Sequence, residues 1–574
     1  MTVAEQLVEV LAQAGVRRIY GIVGDSLNAF TDAIRKQDVV EWVHVHNEEA
    51  AALAAAAEAQ LTGRLAVCAG SCGPGNTHLI QGVFDAHRSG APVLAIASHI
   101  VSTEIGTGFF QETDPKQLFG QAGHWTELVS SPAQLPRMAR VGIQEAVGRR
   151  GAAVLVVPGD VLAAAAAGET GAPQPYAEPA PSVPSEPVLA ALAERIDAAD
   201  RVTIFGGIGC AGARDEVLAL AQVIAAPVGH TLRGKESLQY DNPFDVGMTG
   251  LLGYGACYEA MHEADLLLML GTDFPYRQFL PQRNTVQVDA DPARLGRRTA
   301  LELAVTGDVG ATIRALLPRL RPKKRDFLDR MLHRHDAELS RVVEAYTHDV
   351  GETTPIHPEY VARVLDEEAA ADAIFTADTG MCTSWAARYL TPNGRRRVLG
   401  SFVHGTMANA LPHAIGAQTL DRTRQVVSMS GDGGLAMLLG ELLTVRTHRL
   451  PVKVVVFNNS SLGMVRLEMI VAGDPPYETD HDHVDFAAIA AAAGFHAVRV
   501  EKPGELRAAM REVLDHDGPA LLDVVTDPDA LEVPPHVSKE EMAGFALGIG
   551  RTVLAGGVGQ MLHVAHANLR NIPR

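Results

Sequence analysis

A chain of 574 residues exceeds what one hydrophobic core can hold, and ~150 residues per domain calls for about three or four domains. Its 47% hydrophobic and 20% charged residues are ordinary for a globular protein. The formal charge of −19 excludes a nucleic-acid backbone as partner, because binding one needs clustered Lys and Arg.

The start of the chain lacks a basic segment followed by an apolar one, so no signal peptide is expected. Apolar runs at 18–23, 40–45, 65–69, 92–97 and 152–157 predict strands, and the stretches 4–14, 48–61 and 77–87 predict helices. Near-continuous Val, Ile and Leu strands separated by helices predict a parallel sheet covered on both faces. The first domain therefore takes residues 1–162. Residues 163–186 are rich in Ala and Pro without periodicity and read as a linker. A second α/β unit follows at 187–320, with strands at 202–206, 266–270 and 286–289. The stretch 321–356, largely basic and helical, reads as a connector. A third unit spans 357–535, with strands at 374–377, 425–430, 452–458 and 520–525, and a tail of different composition occupies 536–574. The fold class is α/β, with three doubly wound parallel-sheet domains. The five cysteines, Cys68, Cys72, Cys210, Cys257 and Cys382, are an odd, sparse set that reads as reduced, packed thiols in a cytosolic protein. No apolar run approaches the ~20 residues of a membrane span.

Chemistry enters at Gly431-Asp432-Gly433, directly after a strand, and at Asn458-Asn459 after the next one. Glycines at Gly433 and Gly434 let backbone approach phosphate oxygens, and a helix start offers unpaired N–H groups. Asp432 and the Asn459 side chain supply hard oxygen ligands for a small cation that also holds phosphate. Two neighbouring strand ends present both at one crevice.

This pair of motifs, with its separation, resembles the signature of thiamine-diphosphate enzymes. The resemblance covers nearly the whole chain. It is closest to the bacterial quinone-dependent pyruvate dehydrogenases, or pyruvate oxidases, through segments such as AVCAGSCGPGN (66–76), LRGKE (232–236), YDNPFDVGMTGL (240–251), FPYR (274–277) and VVFNNSSLG (455–463). It implies Mg²⁺ held by Asp432, Asn459 and the backbone carbonyl of Ser461. It implies thiamine diphosphate along Gly405, Thr406, Met407, Gly433, Gly434, Ser460, Leu462, Gly463 and Met464, with Met407 as the bulky prop beneath the bent cofactor. Glu48, at the start of an Ala-rich helix, is implied as the carboxylate that meets the pyrimidine N1′. Phe110, Gln111, Met464 and Glu468 are implied to line the substrate pocket.

The resemblance also implies FAD in the central unit. The glycine turn containing Gly207 and Gly209 follows a strand, a weak feature by itself. Arg233, the loop Gly250, Leu251, Leu252 and Gly253, the segment Asp273, Phe274, Pro275, Tyr276 and Arg277, and then Asp291 and Asp308 are implied to cradle the nucleotide. Two places depart from that family's pattern: His46 and Asn47 precede Glu48 where the family carries Arg and His, and Met464 stands where it carries a Phe. A thioether fills that space without offering a ring.

The tail from Met542 to Arg574 has no Asp or Glu, carries Arg551, Arg570 and Arg574, and spaces Leu547, Leu554, Val558, Met561, Leu562, Ala565 and Leu569 roughly on one helical face. It reads either as a helix docked on its own subunit or as a segment binding an anionic membrane surface. The expected activity is oxidative decarboxylation of pyruvate to acetate and CO₂, with electrons passing through FAD to a quinone. A homotetramer is expected, since the resemblance implies a site shared between two subunits, with Glu48 from one and Asp432 from the other. The expected location is cytoplasmic, with peripheral attachment to the inner face of the cell membrane if the tail binds lipid. The alternatives are acetolactate-type carboligation with structural FAD, or a phosphate-using oxidase making acetyl phosphate and peroxide. A non-catalytic binding protein on the same fold is the reading from a different class.

Overall fold

The computed structural model describes residues 1–348 and 350–530 and, beyond them, Leu547, Asn568 and Arg570. It contains three six-stranded sheets, parallel throughout. In the first, β1 (Arg18–Gly21), β2 (Glu41–His44), β3 (Ala66–Gly70), β4 (Val93–His99), β5 (Trp125–Leu128) and β6 (Ala152–Pro158) lie in the order β2-β1-β3-β4-β6-β5. The second holds β7 (Val202–Gly206), β8 (Val228–His230), β9 (Asp245–Met248), β10 (Leu266–Leu270), β11 (Thr285–Asp289) and β12 (Leu303–Thr306), ordered β12-β11-β10-β7-β8-β9. The third holds β13 (Ile374–Ala377), β14 (Arg397–Gly400), β15 (Val426–Gly431), β16 (Lys453–Asn458), β17 (His496–Val500) and β18 (Ala520–Val525), ordered β14-β13-β15-β16-β18-β17. Central strands such as β4, β6 and β16 are buried at every residue, as a sheet covered on both faces requires.

The first and third domains pack against each other through helices. Glu48–Thr62 opens at the cap Asn47, whose side chain accepts from the Glu49 N–H at 2.8 Å, and ends at Gly63 in the left-handed region. Its run from Ala50 to Ala57 is buried, as is Ala59, because one face lies on its own sheet and another meets the helix Ala410–Leu420. At that crossing a Cβ on Gly416 would stand 2.2 Å from the Ala54 carbonyl oxygen, so only glycine permits the approach. A single apolar cluster runs across both domains.

Two connecting stretches differ from their sequence reading. Residues 164–171 run along the first domain: the Ala164 carbonyl accepts from the Val3 N–H, and the Thr170 hydroxyl donates to Glu9 at 2.8 Å. The stretch 321–356 contains the helix Asp326–Glu338, whose Phe327, Leu328 and Met331 enter the central domain's core. Its charged residues dominate the composition, yet its apolar positions fall at helical spacing on one side. All five cysteines are free and buried, and burial pushes the Cys68 and Cys210 thiols up to about 12. Among the described residues no helix is long and apolar enough to cross a membrane.

Apart from Leu547, Asn568 and Arg570, the tail residues lie outside the described part. Asn568 donates to the Asp529 carbonyl at 2.7 Å, and the Arg570 guanidinium stands 5.3 Å from the Tyr346 ring centre. Leu547 is exposed.

Candidate active site

The third sheet changes direction between β13 and β15: β14 lies on one side of β13 and the chain returns on the other. Open parallel sheets bind ligands at such a point, beyond the carboxyl ends of the strands. Asp378 follows β13, Gly431-Asp432-Gly433 closes β15, and Asn458-Asn459 closes β16. Gly431 and Phe457 are register partners, which puts Asp432 beside the Asn459 loop. One Asp432 carboxylate oxygen accepts from the Gly433 N–H at 2.7 Å and the other from the Ser460 N–H at 2.5 Å. His481 Nε2 lies 3.3 Å from that second oxygen. Burial raises the Asp432 carboxyl, while the Gly433 amide and His481 pull it back down. The Asn459 side-chain oxygen accepts from the Ser461 N–H at 3.0 Å, and the Ser461 hydroxyl donates to Asp480.

Glycine is needed at this turn. A Cβ on Gly434 would stand 1.7 Å from an Asp378 carboxylate oxygen, and one on Gly433 would meet Leu462 at 2.9 Å and Met407 at 3.7 Å. Met407 is therefore next to the turn, on a loop with Gly405 at φ 79° and Ala408 at φ 65°. Ser460, at φ 54°, is also left-handed. Non-glycine residues held in that region mark places where surrounding structure imposes the conformation. Among the described residues no cluster of three His, Cys, Asp or Glu side chains is arranged to hold a metal. The Asp432 carboxylate and the Asn459 carboxamide are oxygen donors of the kind that suits a hard cation taking its remaining ligands from phosphate and water.

Glu48 belongs to the first domain, at the start of the helix Glu48–Thr62. Its side chain is buried; one oxygen is 3.0 Å from His78 Nδ1 and the other faces Gly75, where a Cβ would come within 3.0 Å. Near it Glu441 of the third domain accepts from the His46 N–H at 3.1 Å and from the Thr444 hydroxyl, and burial pushes its carboxyl up to about 7. Phe110 is 78% exposed, and Gln111, at φ 62°, stands 3.5 Å from the Cys72 thiol. Met464 and Glu468 lie on the helix Gly463–Ala472, where Glu468 acts electrostatically on Tyr276.

The central sheet changes direction between β7 and β10. A Cβ on Gly207 would stand 2.6 Å from the Thr272 Cβ, and one on Gly209 would stand 2.6 Å from the Gly271 Cα. The two strand-end loops thus meet backbone to backbone. Arg233, after β8, donates to the Ser89 carbonyl at 2.7 Å, and desolvation lowers its guanidinium to about 10. Together with Ile208 and Arg150 it lines a cavity of about 140 Å³ where the three domains join. Gly250, at φ 103°, packs against Phe274. Leu251 and Tyr276 are exposed. The Gly253 carbonyl accepts from Arg388 at 2.9 Å. The acidic residues have local partners: Asp273 bridges to Arg298 at 3.1 Å, Asp291 to Arg294 at 3.3 Å, and Asp308 caps the helix Val309–Leu316.

Comparison with known proteins agrees with this arrangement. Residues 1–118 match the N-terminal TPP binding domain of thiamine pyrophosphate enzymes, 189–316 the central domain, and 378–524 the C-terminal TPP binding domain. A Bacillus subtilis (strain 168) protein, named only provisionally as containing thiamine pyrophosphate, is 35% identical over 548 residues, covering 95% of each chain. The chain belongs to the thiamine pyrophosphate enzyme family. The large subunit of acetolactate synthase isozyme 2 from Escherichia coli (strain K12) is 32% identical over 563 residues, or 94% of this chain and 99% of that one. Pyruvate oxidase of Lactiplantibacillus plantarum is 29% identical over 538 residues, or 91% and 88%.

For a thiamine pyrophosphate enzyme the cofactor is thiamine diphosphate, typically with Mg²⁺. The structure brings Asp432, Gly433, Gly434, Asn459, Ser460, Ser461, Leu462 and Met407 to one crevice and leaves Glu48 with His78. Sequence reasoning did not single out Asp378, which is fully buried and pushed up to about 7 by desolvation. Nor did it find His481. Asp378 follows a strand without a motif around it, and its apolar surroundings were the one available hint.

Proposed function

We propose that this enzyme decarboxylates pyruvate oxidatively, releasing acetate and CO₂ and passing electrons through FAD to a quinone. The observation that carries the reading is the central sheet. Its strand order, its glycine contact between β7 and β10, and the half-buried, partly desolvated cation Arg233 suit the diphosphate of a dinucleotide. Bound thiamine diphosphate supplies an electron sink for the bond to the departing carboxylate. Asp432, Asn459 and the Ser461 carbonyl would hold Mg²⁺, and Gly433 and Gly434 would admit the diphosphate. Glu48 would share a proton with the pyrimidine N1′. Glu48 and Asp432 lie in different domains, and the family architecture that the resemblance implies sets such a site between two subunits, so the reading takes the working unit to be at least a subunit pair, and a homotetramer as the full assembly.

Carboligation to acetolactate is the second reading, favoured by the match to an acetolactate synthase subunit along nearly its whole length. The test is anaerobic addition of pyruvate to protein reconstituted with thiamine diphosphate, Mg²⁺ and FAD. Bleaching of the flavin, acetate as product and recovery of the flavin on adding a quinone are expected. Acetolactate without bleaching would replace the proposal with carboligation, and acetyl phosphate with peroxide would replace it with a phosphate-using oxidase. No turnover at all would leave the non-catalytic reading. Co-sedimentation with anionic vesicles, before and after removal of residues 550–574, tests the proposed membrane attachment. Equal binding by both proteins would leave the tail as a segment of its own subunit, the arrangement that Arg570 on Tyr346 favours.

A further inference from the structure

The helix Pro74–Ser89 of the first domain reaches both functional groups. Its first turns hold Glu48 through Gly75 and His78. Further along, Gln81 donates to the Thr406 hydroxyl at 2.7 Å, Phe84 stacks on His404, and Asp85 enters the interface with the third domain. Asp85 is fully buried. One of its oxygens accepts from the Ser401 hydroxyl at 2.6 Å, and His413 Nε2 lies 3.3 Å from the other.

A serine hydroxyl has one hydrogen and two lone pairs. With its hydrogen committed to Asp85, Ser401 Oγ can only accept elsewhere, and it does so from the Gly405 N–H at 3.0 Å and the Thr406 N–H at 3.1 Å. These two amides immediately precede Met407. From the other side, Asn409 donates to the Thr406 carbonyl at 2.8 Å and to Asp378 at 3.1 Å, and Asp378 lies against Gly434. Asp85, Ser401, Asn409 and Asp378 are all buried to 2% exposure or less. The left-handed turn around Met407 is thus clamped between an aspartate of the first domain and one beside the glycine turn.

We propose that Asp85 is a positioning residue for the thiamine cradle, fixing through Ser401 the amides that set the height of Met407 and so making cofactor affinity depend on docking of the helix Pro74–Ser89. The proposal rests on the reading of Gly405, Thr406 and Met407 as part of that cradle. A hydrogen bond to a buried carboxylate is among the stronger ones, and loss of either partner leaves polar groups unpaired in a dry interface.

The experiment titrates cofactor-free protein with thiamine diphosphate and Mg²⁺, comparing Asp85→Asn, Ser401→Ala and Met407→Ala with the unaltered chain. Three quantities are read: the dissociation constant, the near-ultraviolet circular dichroism of the bound aminopyrimidine, and the Tm before cofactor is added. Asp85→Asn keeps shape and one acceptor, so folding is preserved where Asp85→Ala could fail. Ser401→Ala should weaken affinity about tenfold and diminish the dichroic band, with Asp85→Asn changing both in the same direction by less. Lowered Tm with unchanged affinity and band would make Asp85 and Ser401 structural only and overturn the proposal. A Met407→Ala protein that binds and reports like the unaltered chain would instead overturn the cradle reading, and the proposal with it. Impairment by Met407→Ala alone would overturn the proposal and keep the cradle.

Discussion

The first and third sheets share one strand order, each running second, first, third, fourth, sixth, fifth in its own numbering, yet their crevices are finished differently. In the first, between β1 and β3, the chain fills its own opening. Ser26 and Ser98 hydroxyls are 2.6 Å apart, the Cys72 N–H donates to Ser26, and a Cβ on Gly24 would stand 2.5 Å from the Ser71 Cβ. In the third, the equivalent place carries Asp378 and Asp432. Topology supplies a crevice in both. The side chains at the strand ends decide which one can take a metal and a diphosphate, and the first domain contributes its carboxylate, Glu48, from a helix start instead.

Four perturbations test that contrast. The largest effect is expected for Asp432→Ala, which should lose Mg²⁺-dependent retention of thiamine diphosphate through gel filtration while flavin stays bound. Full thiamine occupancy in the filtered variant would put the site elsewhere. Glu48→Gln should keep thiamine diphosphate but lose turnover by ~10²-fold or more. Near-normal pyruvate consumption would remove Glu48 from the assignment. The paired variants Gly434→Ala and Gly24→Ala compare the crevices directly. Each overpacks by an amount of about 1–3 kcal/mol, but only Gly434→Ala should weaken the cofactor's dissociation constant. Equal weakening by both would mean that the closed crevice matters to binding after all.

The smallest effect concerns pH. Burial raises the Glu441 carboxyl from 4.5 to about 7, so the folded protein keeps a proton there that the unfolded chain has released. The associated stability is fully present below about 4.5 and is lost as pH rises through about 7. Asp245 and Asp378, also raised to about 7, act in the same direction. His87 and His230, whose imidazoles burial depresses to about 4 and about 3, act the other way up to about pH 6.5, so the test is a difference between two proteins: between pH 5 and 8 the Tm of cofactor-free Glu441→Gln should fall less, or rise more, than that of the unaltered chain, by about 2–4 °C. Identical slopes would show that Glu441 ionises no differently in the two states.

Much of this architecture is legible in the chain, and the gaps have a common cause. Runs such as LLLML in β10 and VVSMSG in β15 stand out because both sheet faces are covered. The strands without such runs include the edges β5, β9, β12, β14 and β17, where WTEL, DVGM, LAVT, RVLG and HAVRV are short or partly exposed and carry no continuous apolar pattern. The site divides similarly. Asp432 and Asn459 are legible because glycine and a second amide flank them, whereas Asp378 and Asp85 act through partners far away in sequence. Ser401 meets Asp85 only after two domains have docked, and no local spacing records that.

The crossing of Ala54 and Gly416 also governs how the chain reaches its folded state. The alanine-rich helix has two covered faces, and one is supplied by a segment made long after the first domain has left the ribosome. Until that segment arrives, a nascent first domain carries a bare stripe of small apolar side chains. Closing so distant a contact is entropically slow, and species with exposed apolar surface are prone to associate wrongly. A chain interrupted before the third domain should therefore be a poor folder in isolation, even with its own sheet complete.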